Sequence, residues 1–200
     1  IIEGSPDGLA YLTCTANCTS ENPVWMEVPS DVTSDLKRVS AGTTTAWAVG
    51  AGGKIRRCSA GCYSTSPSWS SPQPSPTSVN LYGVAATSGY AVVVGVGVAY
   101  YSTDFATWPS VDFAAALPAG TTLYGVAATD ARNVVIVGSG GYVAGCVAES
   151  GVCGDADHKF VAATVDTTVD LRDVAVGGGR FTAVGAGGTV LLADSATGPW

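Results

Sequence analysis

The sequence predicts an all-β fold built from one repeated sheet unit, and three observations carry that prediction. Of the 200 residues 26 are Gly and one is Met, and 46% are hydrophobic against 12% charged. With Val, Ala, Thr and Ser abundant, this is material for short strands and tight turns rather than helical bundles or disorder. Next, one pattern recurs four times: Leu36-Lys37-Arg38-Val39 leading to Val49-Gly50, Leu81-Tyr82-Gly83-Val84 to Val94-Gly95, Leu123-Tyr124-Gly125-Val126 to Val137-Gly138, and Leu171-Arg172-Asp173-Val174 to Val184-Gly185. From Leu to Gly the spacing is 14, 14, 15 and 14 residues, and successive Leu positions lie 45, 42 and 48 residues apart. That period is the length of a four-stranded blade, so the expected architecture is a single-domain β-propeller of about five blade units over residues 1–200. A closed barrel or a sandwich is the alternative, because periodic strands alone do not fix how sheets pack.

The units run over about 1–35, 36–80, 81–122, 123–170 and 171–200. In each, strand A carries Leu-x-x-Val, strand B ends in Val-Gly, a glycine turn follows, then strand C, a loop and a short strand D with an aromatic. The turns are Gly50-Ala51-Gly52-Gly53, Gly138-Ser139-Gly140-Gly141 and Gly185-Ala186-Gly187-Gly188, with Gly95-Val96-Gly97 as a variant; glycine adopts positive φ at little cost. Strand C is expected at Lys54 to Arg57, Val98 to Tyr101, Tyr142 to Gly145 and Thr189 to Leu192. Trp25, Trp69, Trp108, Phe160 and Trp200 close the D strands and are expected as core wedges between blades. Residues 64–78, with Pro67, Pro72, Pro74 and Pro76, form an extended Ser/Pro-rich connector within the repeat. The first unit supplies a strand C (Leu9 to Thr13) and a strand D around Trp25, with no A or B strand before them. Five blades of about 45 residues would need roughly 225, so the count predicts that another chain or a missing segment completes the propeller.

Leu-x-x-Val-Ala, Ala-Val-Gly-x-Gly-Gly and Ser102-Thr103-Asp104 followed by Trp108 resemble the repeats of the photosystem II stability and assembly factor family and of the sialidase-type Asp-box propellers. The resemblance covers nearly the whole chain and implies the propeller fold, not an activity. Only Ser102-Thr103-Asp104 keeps the Ser-x-Asp of an Asp box, and it lacks the glycine.

The six cysteines fall as Cys14/Cys18, Cys58/Cys62 and Cys146/Cys153, and the second of each pair lies seven residues before a strand D aromatic. Local disulfides within each C–D loop are the simplest connectivity, each a clip of about 2 kcal/mol for a five-residue loop. A four-cysteine zinc site between neighbouring loops is the competing reading. Disulfides place the protein in an oxidising setting: extracellular, cell-surface or periplasmic. Asn17-Cys18-Thr19 formally matches a glycosylation sequon.

Function is less legible. Nine Lys and Arg against sixteen Asp and Glu give a net charge of −7, with no basic run beyond Arg56-Arg57, so no nucleic-acid footprint is present. No apolar run is long enough for a membrane helix; Tyr90 to Tyr101 is broken by Gly95 and Gly97. Gly50 to Lys54 superficially suggests a phosphate loop, but Ile55 stands where Ser or Thr is needed and no helix follows. The one histidine, His158, sits with Asp155 and Asp157 in a loop expected to be solvated, and two carboxylates are too few for calcium. No cofactor, no metal and no catalytic residue is therefore assigned. Propellers recognise partners through residues that vary between blades at equivalent positions. Here these are Lys37, Tyr82, Tyr124 and Arg172, followed by Arg38 and Asp173 where other units have Gly83 and Gly125. Since the odd offset in Leu-x-x-Val cannot lie on one face of a regular strand, a bulge or turn is expected there. The expected function is a binding module for a protein or glycan, lectin-like in the second case. The alternative is a sialidase-like glycoside hydrolase drawing on Arg38, Arg132, Arg172 and Arg180.

Overall fold

The structure is a computed structural model that describes residues 34–42, 44–62, 64, 67–69, 73 and 75–200, together with the backbone of three strands before them. These strands, β1 (Ile2–Gly4), β2 (Ala10–Ala16) and β3 (Val24–Pro29), form an antiparallel sheet in that order. β1 corrects the expectation that the first unit lacks its B strand. Ile2 pairs with Thr13 and Gly4 with Tyr11, on the edge of β2 opposite β3, which is the B position. Three residues carry too little periodicity to be read as a strand; the pairing partner defines it.

The second sheet is β4 (Leu36–Ala41), β5 (Ala46–Gly50), β6 (Ile55–Ala60) and β7 (Ser68–Trp69). The third is β8 (Leu81–Thr87), β9 (Tyr90–Gly95) and β10 (Val98–Ser102). The fourth is β11 (Leu123–Asp130), β12 (Asn133–Gly138), β13 (Val143–Val147) and β14 (Val161–Ala162). The last is β15 (Leu171–Gly177), β16 (Arg180–Gly185) and β17 (Val190–Ala193). Each is a meander of three or four strands, and among the described residues four strands form in the second and fourth sheets. In the third, the D position is an isolated bridge between Tyr100 and Ser110, flanked by hydrogen bonds from Tyr101 N–H to the Pro109 carbonyl and from Val111 N–H to the Ala99 carbonyl. Pro109 has no N–H to continue the ladder. The helical segments among the described residues are three-residue turns at Ala51–Gly53, Ser139–Gly141 and Ala186–Gly188.

The chain divides into two compact units, Ile1–Leu81 and Tyr82–Trp200. In the first, Ala46, Ala48, Cys58 and Cys62 form a buried cluster with Leu36, Val39 and Trp69 against it. In the second, successive sheets pack face to face. Ala85, Val92, Val94 and Ala99 meet Val126, Val134, Ile136 and Phe160. Ala127, Val135, Val137 and Val143 meet Leu171, Val174, Phe181 and Ala183. The B strands β9 and β12 are thus buried on both faces, which is why Ala91 to Val94 and Val134 to Val137 are continuous apolar runs. Trp108 and Phe160 are buried and Trp200 packs beside Phe181, with ring centroids 6.5 Å apart. Trp25 has no described side chain.

Cys58–Cys62 and Cys146–Cys153 are disulfides, with Cα atoms 5.7 and 5.8 Å apart. These four sulfurs are therefore bonded in pairs rather than gathered about a zinc ion. The expected Cys14–Cys18 pair lies outside the described residues.

Candidate functional site

The odd offset in Leu-x-x-Val is resolved by a β-bulge. Along β4 the register moves from Leu36 opposite Gly50 to Arg38 opposite Val49; along β11 from Leu123 opposite Gly138 to Gly125 opposite Val137; along β15 from Leu171 opposite Gly185 to Asp173 opposite Val184. Lys37, Tyr124 and Arg172 are the extra residues. The bulge lets Leu and Val both face the core, with Leu123, Val126, Leu171 and Val174 buried, while the residue between is pushed aside. Arg172 keeps 56% of its side chain exposed.

Three of the six candidate residues meet. The Tyr82 and Tyr124 rings, from β8 and β11, make an edge-to-face pair with centroids 5.8 Å apart. The Arg172 guanidinium, from β15, lies 4.6 Å from the centroid of the Tyr124 ring. One residue from each of three successive sheets therefore builds a continuous row, held by aromatic quadrupole and cation–π attraction. The glycines beside it are explained by close approach of neighbouring A strands. A Cβ on Gly83 would lie 3.0 Å from the Tyr124 carbonyl oxygen, and one on Gly125 would lie 2.9 Å from the Asp173 Cα. Asp173 turns its carboxylate onto its own strand, accepting the Val174 N–H at 2.9 Å. Lys37 and Arg38 belong to the other compact unit, where Lys37 lies 3.6 Å from Asp35.

Sequence reasoning missed the residue that precedes each strand A. Asp170 Oδ2 is 2.9 Å from the Arg172 guanidinium, while its Oδ1 accepts the Gly140 N–H at 3.0 Å from the glycine turn of the preceding sheet. Its carbonyl accepts the Ala186 N–H of its own turn. In the compact unit Ile1–Leu81, Asn80 Oδ1 likewise accepts the Gly52 N–H at 3.1 Å. An Asx before Leu in three of four repeats was the available signal. Beside Gly140 lies an open groove of about 280 Å³ lined by Pro118, Gly120, Thr121, Ser139 and Tyr142.

The remaining polar clusters are local. His158 Nδ1 is 2.8 Å from Asp155 Oδ1, and Asp155 also accepts the backbone N–H groups of Val152, Asp157 and His158. Burial pushes the Asp155 carboxyl up, but these hydrogen bonds together hold it below its usual value. The loop expected to be solvated thus holds a half-buried histidine–carboxylate pair. Asp104 accepts the N–H groups of Thr107 and Ala106 and the Thr107 hydroxyl, which keep it well below the carboxylate range. Next to it Phe105, a non-glycine residue, adopts φ +59°. Arg132 and Arg180 sit at the A–B hairpin ends of their sheets, bonded to the Glu149 carbonyl and to Asp194, away from the strand starts that carry Arg172.

No protein-family profile matches the chain, and no curated protein matches it in sequence. Solved structures do. Human WBSCR16 superposes with a TM-score of 0.58 at 13% identity, covering 96% of this chain and 58% of that one. The computationally designed Ika4 protein gives 0.57 at 11%, covering 82% and 92%. YCF48, a photosystem II assembly factor with a β-propeller fold, solved bound to D1 peptide, gives 0.59 at 14%, covering 88% and 60%. The chain spans about 60% of the length of the WBSCR16 and YCF48 structures. At these identities the likeness concerns the fold alone, and that fold is β-propeller-like.

Proposed function

We propose that this chain is a β-propeller-type binding module of an extracellular, cell-surface or periplasmic protein, and that it recognises a protein or glycan partner. The observation that carries the reading is the row Tyr82–Tyr124–Arg172, one residue from each of three sheets, with Tyr124 and Arg172 set aside from the core by a bulge. Tyr and Arg are the residue types that concentrate binding energy at protein interfaces, which favours a protein segment over a glycan. The neighbouring groove at Ser139 and Tyr142 extends the contact surface. YCF48, a fold neighbour, was solved with a peptide bound. Two disulfides support the oxidising compartment.

The test is a labelled sample of the chain applied to peptide and glycan arrays, with Tyr124→Ala and Arg172→Ala as comparisons. Binding that both substitutions weaken at least tenfold supports the reading. Binding indifferent to both, or turnover of chromogenic glycosides that Arg172→Ala abolishes, overturns it.

A further inference from the structure

Each strand A is preceded by a short polar residue: Asp35, Asn80, Thr122 and Asp170. Tying this position to the preceding glycine turn needs no charge, since the Asn80 amide oxygen accepts the Gly52 N–H at 3.1 Å much as the Asp170 carboxylate accepts the Gly140 N–H at 3.0 Å. A carboxylate occurs where the bulged residue two positions on is basic: Asp35 with Lys37 at 3.6 Å, and Asp170 with Arg172 at 2.9 Å. Where that residue is Tyr82 or Tyr124, the preceding one is the neutral Asn80 or Thr122. The negative charge therefore serves the basic side chain rather than the turn.

We infer that Asp170 is the positioning and specificity-setting residue of the Tyr82–Tyr124–Arg172 row. It holds the guanidinium over the Tyr124 ring, and by neutralising it suits the row to an uncharged partner surface and against anions. A guanidinium paired with a carboxylate at hydrogen-bond distance has part of its donor fork and most of its field already satisfied, so an incoming anion meets Asp170 as well as Arg172. The cation–π contact persists, because the planar group can present its face to the ring while its edge meets the carboxylate. This inference deepens the proposed function and rests on that row being the binding face.

The experiment uses the full chain with labelled tyrosine and arginine side chains, observed by NMR without any partner and then titrated with sulfate as the anion probe. In Asp170→Asn the amide oxygen still serves Gly140, so the fold persists. The Tyr124 ring resonances are expected to move toward those of Arg172→Gln, the reference for an uncovered ring, and Asp170→Glu is expected to restore them. Sulfate should perturb the Arg172 resonances in Asp170→Asn and leave the wild type unchanged. Tyr124 resonances in Asp170→Asn that coincide with the wild type, or a wild type that responds to sulfate as the variant does, would overturn the inference. Because no partner is present, failure here is distinct from failure of the array experiment.

Discussion

Gly125→Ala tests the close approach on which the row depends. A methyl group at this position would lie 2.9 Å from both the Asp173 Cα and the Val174 nitrogen, and 3.0 Å from Val137 Cγ2. Two of those atoms are backbone of the neighbouring strand β15, which cannot rotate away as a side chain could. The strands β11 and β15 must separate, and overpacking of this kind costs about 1–3 kcal/mol. For a chain of this length each kcal/mol lowers the melting temperature by roughly 2–4 °C. Gly177→Ala is the control, because nothing lies within 4 Å of its added methyl and its φ is ordinary. Stiffening the unfolded chain there should stabilise by about 0.4–1 kcal/mol. Calorimetry should therefore show the two variants moving in opposite directions from the wild type. Since separating β11 from β15 also draws Arg172 off Tyr124, Gly125→Ala should weaken partner binding as well. A Gly125→Ala protein that melts with the wild type would refute the close-approach argument.

Three further outcomes follow from the same structure. Tyr90→Phe keeps the ring stacked on Tyr101 but deprives the buried Cys153 carbonyl of its 2.9 Å donor, so urea unfolding should show a loss of about 1–3 kcal/mol with an unchanged slope. Replacing Cys146 and Cys153 together by Ser opens a loop whose ends are seven positions apart, and the same assay should register about 2–3 kcal/mol lost. Asp104 and Asp155 both have folded pKa values held below the unfolded ones. Their contribution is complete above the unfolded carboxyl range and is lost as the pH falls toward the folded values, so stability should decline below about pH 4. Asp104→Asn combined with Asp155→Asn should flatten that acid limb; an unaltered limb would show that other carboxylates set it.

The strands and turns could be read from the chain because each is written in consecutive residues. Val92 to Val94 spell a buried strand, and the paired glycines of Gly138 to Gly141 spell a turn in which Gly140 and Gly141 both have positive φ. The bulge was legible as a conflict: Leu123 and Val126 could not both face inward on a regular strand. What escaped was written across distance. β1 is defined by its pairing with β2, not by its three residues. An Asx before Leu in three of the four repeats marks the position of Asp170, but its contact with Gly140, 30 positions earlier, is not written in the local sequence. Tyr82, Tyr124 and Arg172 are legible as equivalent positions, whereas the edge-to-face and cation–π contacts that join them depend on the spacing of neighbouring sheets, which periodicity does not encode. Cys58–Cys62 and Cys146–Cys153 were legible because each pair sits within one loop.

The bulge also separates what the repeat must conserve from what it can vary. A residue inserted into one strand answers to no partner across the ladder, and in this chain it has been Lys, Tyr and Arg in turn without disturbing the Leu and Val around it. Duplication of such a unit copies a frame with one blank in it. Each copy can then be filled independently, so a lineage could rewrite the face it presents one letter at a time while the hydrophobic grammar of the sheets stays the same.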